Sequence, residues 1–259
     1  MILPASGIYK VMNYWRHIAL ASTALLLAIP AAVAQRPPRP VTGPPAAANS
    51  KPDSNLEAVL NRMDNAAAAF RSAQADFTWD QYQTVVDETD TQKGTIYFRR
   101  RGKDTEMAAD VRDPQPKYVL FSDGKLSLYQ PKIDQVTEYS AGKNRADVES
   151  FLVLGFGSRG HDLPRSFNVK LLKKEPVDGV STSVLELVPT APSLRRMFDR
   201  ILLWIDDGRG VSIKQQFFEP SGDYRLARYA NIRTNQKVPD DKFKLKTTAN
   251  TKVVNPQGG

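Results

Sequence analysis

The chain has 259 residues, of which 36 are Lys or Arg and 28 are Asp or Glu, so its formal net charge is +8. It contains no cysteine and two histidines, which excludes disulfides, cysteine nucleophiles and a Cys/His zinc site within one chain. The length allows one or two domains.

The first 53 residues do not have the pattern of a folded domain. Residues 1–34 combine basic side chains, a short apolar segment over 18–29 and the sequence Ala-Val-Ala at 32–34, which is typical of a cleavable secretory signal peptide. An uncleaved membrane anchor is the alternative interpretation. Residues 35–53 are rich in Pro and Ala and predict a disordered linker. We therefore expect a periplasmic protein of net charge about +6, which is +8 less one Lys and one Arg.

A helix and a series of strands are predicted for the first half of the folded region. Ser54-Asn-Leu-Glu57 has the sequence of a capping box, and apolar residues recur at helical spacing beyond it, so we expect a helix over about 54–73. Alternating segments follow, including GTIYFRRR at 94–101. Asp123-Gly124 separates two such segments and predicts a hairpin turn.

The second half continues with hairpins. Turn sequences at 177–179, 208–210 and 221–223 separate further alternating segments, and no helical segments alternate with the strands as in a βαβ fold. We therefore predict an α+β fold, in which a strongly curved antiparallel sheet forms an incomplete β-barrel. The folded domain is expected to span residues 54–254, followed by a flexible tail at 255–259.

A glycine motif at 155–160 raises the possibility of nucleotide binding. Gly155, Gly157 and Gly160 match G-x-G-x-x-G, but that fingerprint requires a strand before it and a helix that begins at its last glycine. Here a helix is predicted at 146–150, and Pro164 follows the glycines. The order is the reverse of the fingerprint, so we reject a nucleotide site.

Catalytic and nucleic-acid functions receive little support. Ser158 has no predicted base partner, and paired acids such as Asp206-Asp207 fall in turns. An envelope hydrolase that uses Asp206 stays as a third hypothesis. The basic cluster Arg99-Arg100-Arg101 lies on a strand rather than a binding helix, and export makes a nucleic-acid partner unexpected. Strand parity places Arg100 on an apolar face, where backbone carbonyls of a covering segment would satisfy its guanidinium. A position at the rim of that face is the alternative interpretation.

Several segments resemble, in the same order, those of the LolA-type periplasmic lipoprotein carriers, whose fold is shared by LolB-like and RseB-like proteins. The matching segments are KGTIYFRR (93–100), YVLFSDGKLSLYQP (118–131), IDQV (133–136), ILLWID (201–206), Asn231 and VPDDKF (238–243). The resemblance implies a single lipid-binding domain with an apolar cavity, whose mouth is covered by the N-terminal helix and lid helices.

The resemblance also suggests site residues. The predicted cavity residues are Phe77, Trp79, Ile96, Phe98, Met107, Leu120 and Leu128. The predicted lid residues are Phe151, Leu152, Leu154 and Phe156, with Gly155 and Gly157 as hinge. Arg100 is the best match to the family's lid-locking arginine, with Arg99 and Arg101 as alternatives. No catalytic residue, cofactor or metal is expected.

The leading functional hypothesis is a monomeric carrier that binds acyl chains of lipoproteins, or a related envelope lipid, and moves them from the inner to the outer membrane. Its expected partners are an inner-membrane lipoprotein-releasing ABC transporter and an outer-membrane acceptor. An RseB-like envelope-stress sensor, a regulator with the same fold, is the alternative.

Overall fold

A computed structural model describes residues 54–102, 104–142, 145 and 151–256. The predicted signal peptide, the linker and the helix at 146–150 lie outside the described residues, as does the end of the predicted tail. Those four assignments stay predictions.

The N-terminal helix, α1, spans Ser54–Ala69. Its buried side chains are Val59, Leu60, Met63 and Ala67, which form one apolar stripe. The helix is four residues shorter than predicted, because β1 begins at Ser72 and pairs from there with β2. A short helix, α2, covers Pro192–Arg195.

The described residues contain twelve strands. They are β1 Ser72–Gln83, β2 Glu88–Arg101, β3 Asp104–Asp113, β4 Lys117–Ser122, β5 Lys125–Gln130, β6 Gln135–Ser140, β7 Phe167–Lys174, β8 Thr182–Pro189, β9 Arg200–Asp206, β10 Ser212–Phe218, β11 Tyr224–Thr234 and β12 Lys252–Val254. Short 3₁₀ helices cover Pro131–Ile133, Gly160–Arg165 and Asp240–Phe243.

All twelve strands form one sheet, in the order β12-β6-β5-β4-β3-β2-β1-β11-β10-β9-β8-β7. Its edge strands, β12 and β7, do not pair with each other, so the sheet is curved but not closed, as predicted. Every pairing is antiparallel except that of β12 with β6, which is parallel. The sequence predicts antiparallel strands alone, and β12 is not among them because a three-residue strand is too short to show a period of two.

One face of the sheet, here called the inner face, carries the core. Strand register places Phe77, Tyr229 and Gln215 on this face together with the apolar side chains of β2, β3 and β9. The core has two clusters: one centres on β1 to β6, and the other packs α1 against β7 to β10.

The opposite, outer face carries a smaller apolar cluster. Tyr97, Ala108 and Leu120 pack there beneath Phe243 of the last 3₁₀ helix. Arg99 lies over the Phe243 ring at 4.0 Å and pairs with Glu106. This 3₁₀ helix therefore closes the outer side of the central strands.

Candidate functional site

The segment 151–157 lies across the inner face between the two core clusters. The Phe156 ring is 1% exposed, stacks on Phe98 with centroids 5.3 Å apart, and meets the edge of Tyr229 at 4.7 Å. Phe151 packs against Phe198 at 5.6 Å. These aromatic contacts hold the segment from both sides.

Two hydrogen bonds to backbone carbonyls attach the middle of the 151–157 segment to β10. The amide of Ser212 donates to the carbonyl of Gly155 at 2.7 Å, and Gln215 Nε2 donates to the carbonyl of Leu154 at 2.7 Å. Each satisfies a carbonyl that would otherwise lack a partner in an apolar environment.

Glycines are needed where this region turns and where it meets α1. Gly155 has φ +81°, and a Cβ there would lie 2.5 Å from the Ser212 Cβ. A Cβ on Gly160 would lie 2.5 Å from the backbone oxygen of Leu60 in α1. Gly157 faces the Phe70 ring. The glycine motif thus serves chain turning and close packing.

Gly160 begins the 3₁₀ helix Gly160–Arg165, which contains Pro164. Alternation predicts a strand from Phe167 onwards, and β7 begins at that residue. The short helix before it has no signal in the sequence. The segment before the glycines, 151–154, is not a strand. The nucleotide-binding fingerprint requires a strand there, so the structure does not have that motif.

A cavity of about 110 Å³ lies between the 151–157 segment and the inner face. Its wall consists of Trp79, Asp80, Gln81, Gln92, Ile96, Phe98, Met107, Phe151, Leu152, Leu154, Phe156, Gln215, Phe217, Arg225, Leu226, Ala227 and Tyr229. Four predicted cavity residues and all four apolar residues of the predicted lid are brought together there.

Three predicted cavity residues lie elsewhere. Phe77 is buried on the inner face and stacks on Trp79 with centroids 3.9 Å apart. Leu128 is sealed inside the first core cluster. Leu120 lies on the outer face, because its neighbours Val119 and Phe121 on β4 take the two inner positions.

A chain of hydrogen bonds runs through the cavity wall to the 151–157 segment. The Trp79 indole bonds the Tyr229 hydroxyl, and that hydroxyl lies 3.5 Å from Gln215 Oε1. Gln215 then binds the carbonyl of Leu154. Burial raises the pKa of Tyr229, so this phenol stays protonated and available as a donor.

Strands β10 and β11 contribute wall residues that are absent from the predicted set. Alternation in YRLARYAN, at 224–231, was the available signal, since Arg225, Ala227 and Tyr229 share one face. Gln215 and Phe217 of β10 lie opposite Ala227 and Arg225, and only the register between β10 and β11 places them in the wall.

The two charged wall residues are each paired. Arg225 Nε lies 3.3 Å from Glu219 Oε1, and Asp80 Oδ2 lies 2.6 Å from Arg228 Nη2. Each cation is close enough to neutralise its carboxylate. Strand register places Arg225 on the inner face and the Asp80 side chain on the outer face. Neither residue therefore brings an unpaired charge to the cavity.

The three consecutive arginines of β2 divide between the two faces of the sheet. Arg100 Nη1 lies 3.5 Å from the carbonyl of Ala67 near the C-terminal end of α1, where a cation is favourable. Arg99 binds Glu106 and Asp240 on the outer side, and Arg101 lies 3.8 Å from Glu106. Arg100 thus meets a covering helix, as its strand parity suggested, but that helix is α1 rather than the 151–157 segment.

The carboxylate of Asp206 serves the β9–β10 turn. It accepts hydrogen bonds from the amides of Gly208 at 2.7 Å and Arg209 at 3.0 Å, and it pairs with the Arg209 guanidinium. Burial opposes ionisation, but these contacts hold the pKa of Asp206 below its usual value. A general acid needs a raised pKa, so the geometry does not favour the hydrolase hypothesis.

No helix in residues 54–102, 104–142 and 151–256 is both long and apolar enough to cross a membrane.

Comparison with solved structures shows that this architecture occurs elsewhere. The chain matches MucB with a TM-score of 0.51 and 16% identity, over 78% of this chain and 66% of that chain. It matches an uncharacterized conserved protein from Thermus thermophilus with a TM-score of 0.50 and 8% identity, over 78% and 99% of the two chains. At these identities, the similarity is one of fold.

Sequence comparison gives the family. Uncharacterized protein MJ0687 of Methanocaldococcus jannaschii is 22% identical over 192 residues, which are 74% of this chain and 51% of that protein. The chain therefore spans about half the length of this curated relative. The family described as "Outer membrane lipoprotein carrier protein LolA" matches residues 68–246. These residues include β1 to β11 and the 151–157 segment, and the chain belongs to the LolA family.

Proposed function

We propose that the protein binds acyl chains of lipoproteins, or of a related envelope lipid, and carries them through the periplasm. The observation that carries the proposal is the apolar cavity beneath the 151–157 segment in a chain of the LolA family. In this proposal, an inner-membrane ABC transporter supplies the cargo and an outer-membrane acceptor receives it. The protein acts as a non-enzymatic monomer.

The size of the cavity supports a moving cover. Small-molecule pockets are about 300–1,000 Å³, whereas this cavity is about 110 Å³. An acyl chain therefore needs room that the docked 151–157 segment occupies. Leu154 and Phe156 would leave the inner face, and the acyl chain would replace their contacts.

The energies of the two states are comparable. Burying ten methylenes contributes about 8 kcal/mol. Undocking exposes Leu154 and Phe156, at about 2 kcal/mol each, and breaks two hydrogen bonds to β10, at about 1 kcal/mol each. The acyl chain offsets a cost of about 6 kcal/mol with little surplus, so the cargo stays exchangeable. A carrier needs this balance, because its cargo must also be released.

Lipid analysis of the protein from its native compartment tests the proposal. Native mass spectrometry of the gently purified chain is expected to show a bound species with the mass of a lipid or an acylated peptide. The stripped chain should bind a fluorescent acyl probe. Chain that carries no lipid, binds no probe and extracts no lipoprotein from vesicles would contradict the proposal.

A pair of matched variants locates the binding. Leu152→Asp places a carboxylate in the cavity wall, where its desolvation opposes an acyl chain. Leu172→Asp makes the same change on β7, at a side chain that is 48% exposed and outside the wall. The first variant should lose probe binding and the second should keep it.

An RseB-like sensor differs in its partner. Affinity purification from envelopes should recover lipoproteins and acceptor proteins if the chain is a carrier. Recovery of an anti-sigma factor in their place would favour the sensor.

A further inference from the structure

The polar side chains of the cavity wall lie toward one end of it. Strand register places Gln92, Trp79, Ala227 and Gln215 in one row across β2, β1, β11 and β10. A row nearer the hairpin tips of β1–β2 and β10–β11 includes Gln81 and Arg225. On the other side of the first row, the wall is apolar, with Ile96, Phe98 and Met107. An amphiphile would therefore place its chain against the apolar end and its polar group near Gln92.

Gln92 differs from the other glutamine of its row. Both polar atoms of the Gln215 side chain have partners, since Nε2 donates to the carbonyl of Leu154 and Oε1 accepts from the Tyr229 hydroxyl. Gln92 is 8% exposed, and its Oε1 receives no hydrogen bond from any group in the described part of the chain. Leaving a buried acceptor without a donor is destabilising, because the desolvation of the acceptor is not compensated. Buried polar groups of this kind call for an explanation, and a ligand donor provides one.

The charges around Gln92 favour a neutral donor. Arg225, which strand register places on the inner face, is paired with Glu219, and the Asp80 side chain lies on the outer face, where it is paired with Arg228. An ionic ligand group would have to compete with those pairs or enter unpaired, which is costly. An amide N–H or a hydroxyl brings a donor without a charge.

We propose that Gln92 is a specificity-determining residue, which accepts a hydrogen bond from an amide N–H or hydroxyl next to the acyl chain of the cargo. The inference rests on the proposed lipid-binding function. It narrows the cargo to acyl amphiphiles that have a neutral donor where the chain joins the polar group, such as acyl amides and glycerol derivatives.

Two probes that differ by one donor test this assignment. N-methyldodecanamide and methyl dodecanoate have the same chain and carbonyl, but only the amide has an N–H. Their affinities are measured by competition against a fluorescent acyl probe, for the full chain and for Gln92→Leu. The amide-to-ester affinity ratio is compared between the two proteins, so that the different hydration of the probes cancels.

The ratio is expected to be about fivefold higher for the unaltered chain than for Gln92→Leu, which corresponds to a net hydrogen bond of about 1 kcal/mol. Gln216→Leu, on β10 beside Gln215 but outside the cavity wall, should keep the unaltered ratio. Gln92→Met, of similar length and without the acceptor, should repeat the result of Gln92→Leu.

The outcomes separate the two proposals. If both probes bind and the ratio is the same with and without the Gln92 amide, the role of Gln92 is refuted while lipid binding stands. If neither probe nor the fluorescent reporter binds the unaltered chain, the proposed function itself fails. A lowered ratio in Gln216→Leu as well would also overturn the assignment, because the effect would then not belong to the cavity.

Discussion

Truncation of Phe156 should lower stability and raise lipid affinity at the same time. The ring is 1% exposed and contacts Phe98 and Tyr229. Phe156→Ala removes these contacts, and a Phe→Ala change in a core costs about 3–5 kcal/mol. In the proposed function, this ring must also leave before an acyl chain can enter. Its truncation therefore lowers the free energy needed to undock the 151–157 segment.

The expected magnitudes follow from this competition. The free energy of unfolding without ligand should fall by about 3 kcal/mol. The binding-competent fraction should rise by at least about tenfold, since about 1.4 kcal/mol is a factor of ten, and the apparent Kd should fall by the same factor. Phe156→Leu, a smaller truncation, should shift both quantities in the same directions by less.

Chemical denaturation and titration with a fluorescent acyl probe measure the two effects. Phe121→Ala is the control, because Phe121 is also 1% exposed in the first core cluster but does not line the cavity. It should lose comparable stability without a gain in affinity. If Phe156→Ala lost affinity together with stability, or if both variants gained equally, the competition between segment and ligand would be refuted.

Two further substitutions test the attachment of the 151–157 segment and of the 3₁₀ helix after it. Gly155→Ala should lower the free energy of unfolding by about 1–3 kcal/mol more than Gly102→Ala, as measured by denaturant titration. Both glycines have positive φ, but a Cβ on Gly155 would also clash with Ser212 of β10. Equal losses would show that this contact with β10 is unimportant. His161 bonds Glu57 at 3.1 Å and Asp64 at 2.8 Å, and these bonds raise its pKa above 6.5. The contribution of His161 to the free energy of unfolding is therefore complete below pH 6.5 and is lost as the pH rises through the folded-state pKa. Denaturant titrations from about pH 5 to about pH 9 should show this loss of stability, and His161→Gln should abolish the pH dependence.

The sequence was sufficient for much of the inner face, because burial on one face of a sheet leaves a period of two. This period predicts that Ile96 and Phe98 share one face, and both lie in the cavity wall together with Trp79. It also placed Arg100 toward a covering helix. The apolar residues of 151–156 were recognised as a group because they form a compact apolar run between predicted strands.

What the sequence could not supply was the pairing of strands far apart in the chain. The β1–β11 pair joins residues about 150 positions apart and brings Tyr229 beside Phe77. No local pattern encodes that register, so the β10 and β11 part of the wall was missed. The prediction that Leu120 lines the cavity is wrong for a related reason. Its strand, YVLF, is apolar throughout, so alternation does not show which of its side chains face inward. Only the pairing with the neighbouring strand decides this.

Quenching of Trp79 fluorescence tests the central claim, that an acyl chain occupies the cavity beneath the 151–157 segment. Trp79 lines the cavity, whereas Trp204 lies on the outer face of β9 beside Lys214. With Trp15 and Trp204 replaced by Phe, Trp79 alone reports. With Trp15 and Trp79 replaced, Trp204 is the matched control.

A fatty acyl chain brominated near its middle quenches an indole that it touches. The account predicts saturable quenching of Trp79 by this chain, no quenching by the unbrominated chain, and little change at Trp204. Binding of the brominated chain that leaves Trp79 as bright as Trp204 would contradict the account, because the ligand would then lie outside the cavity.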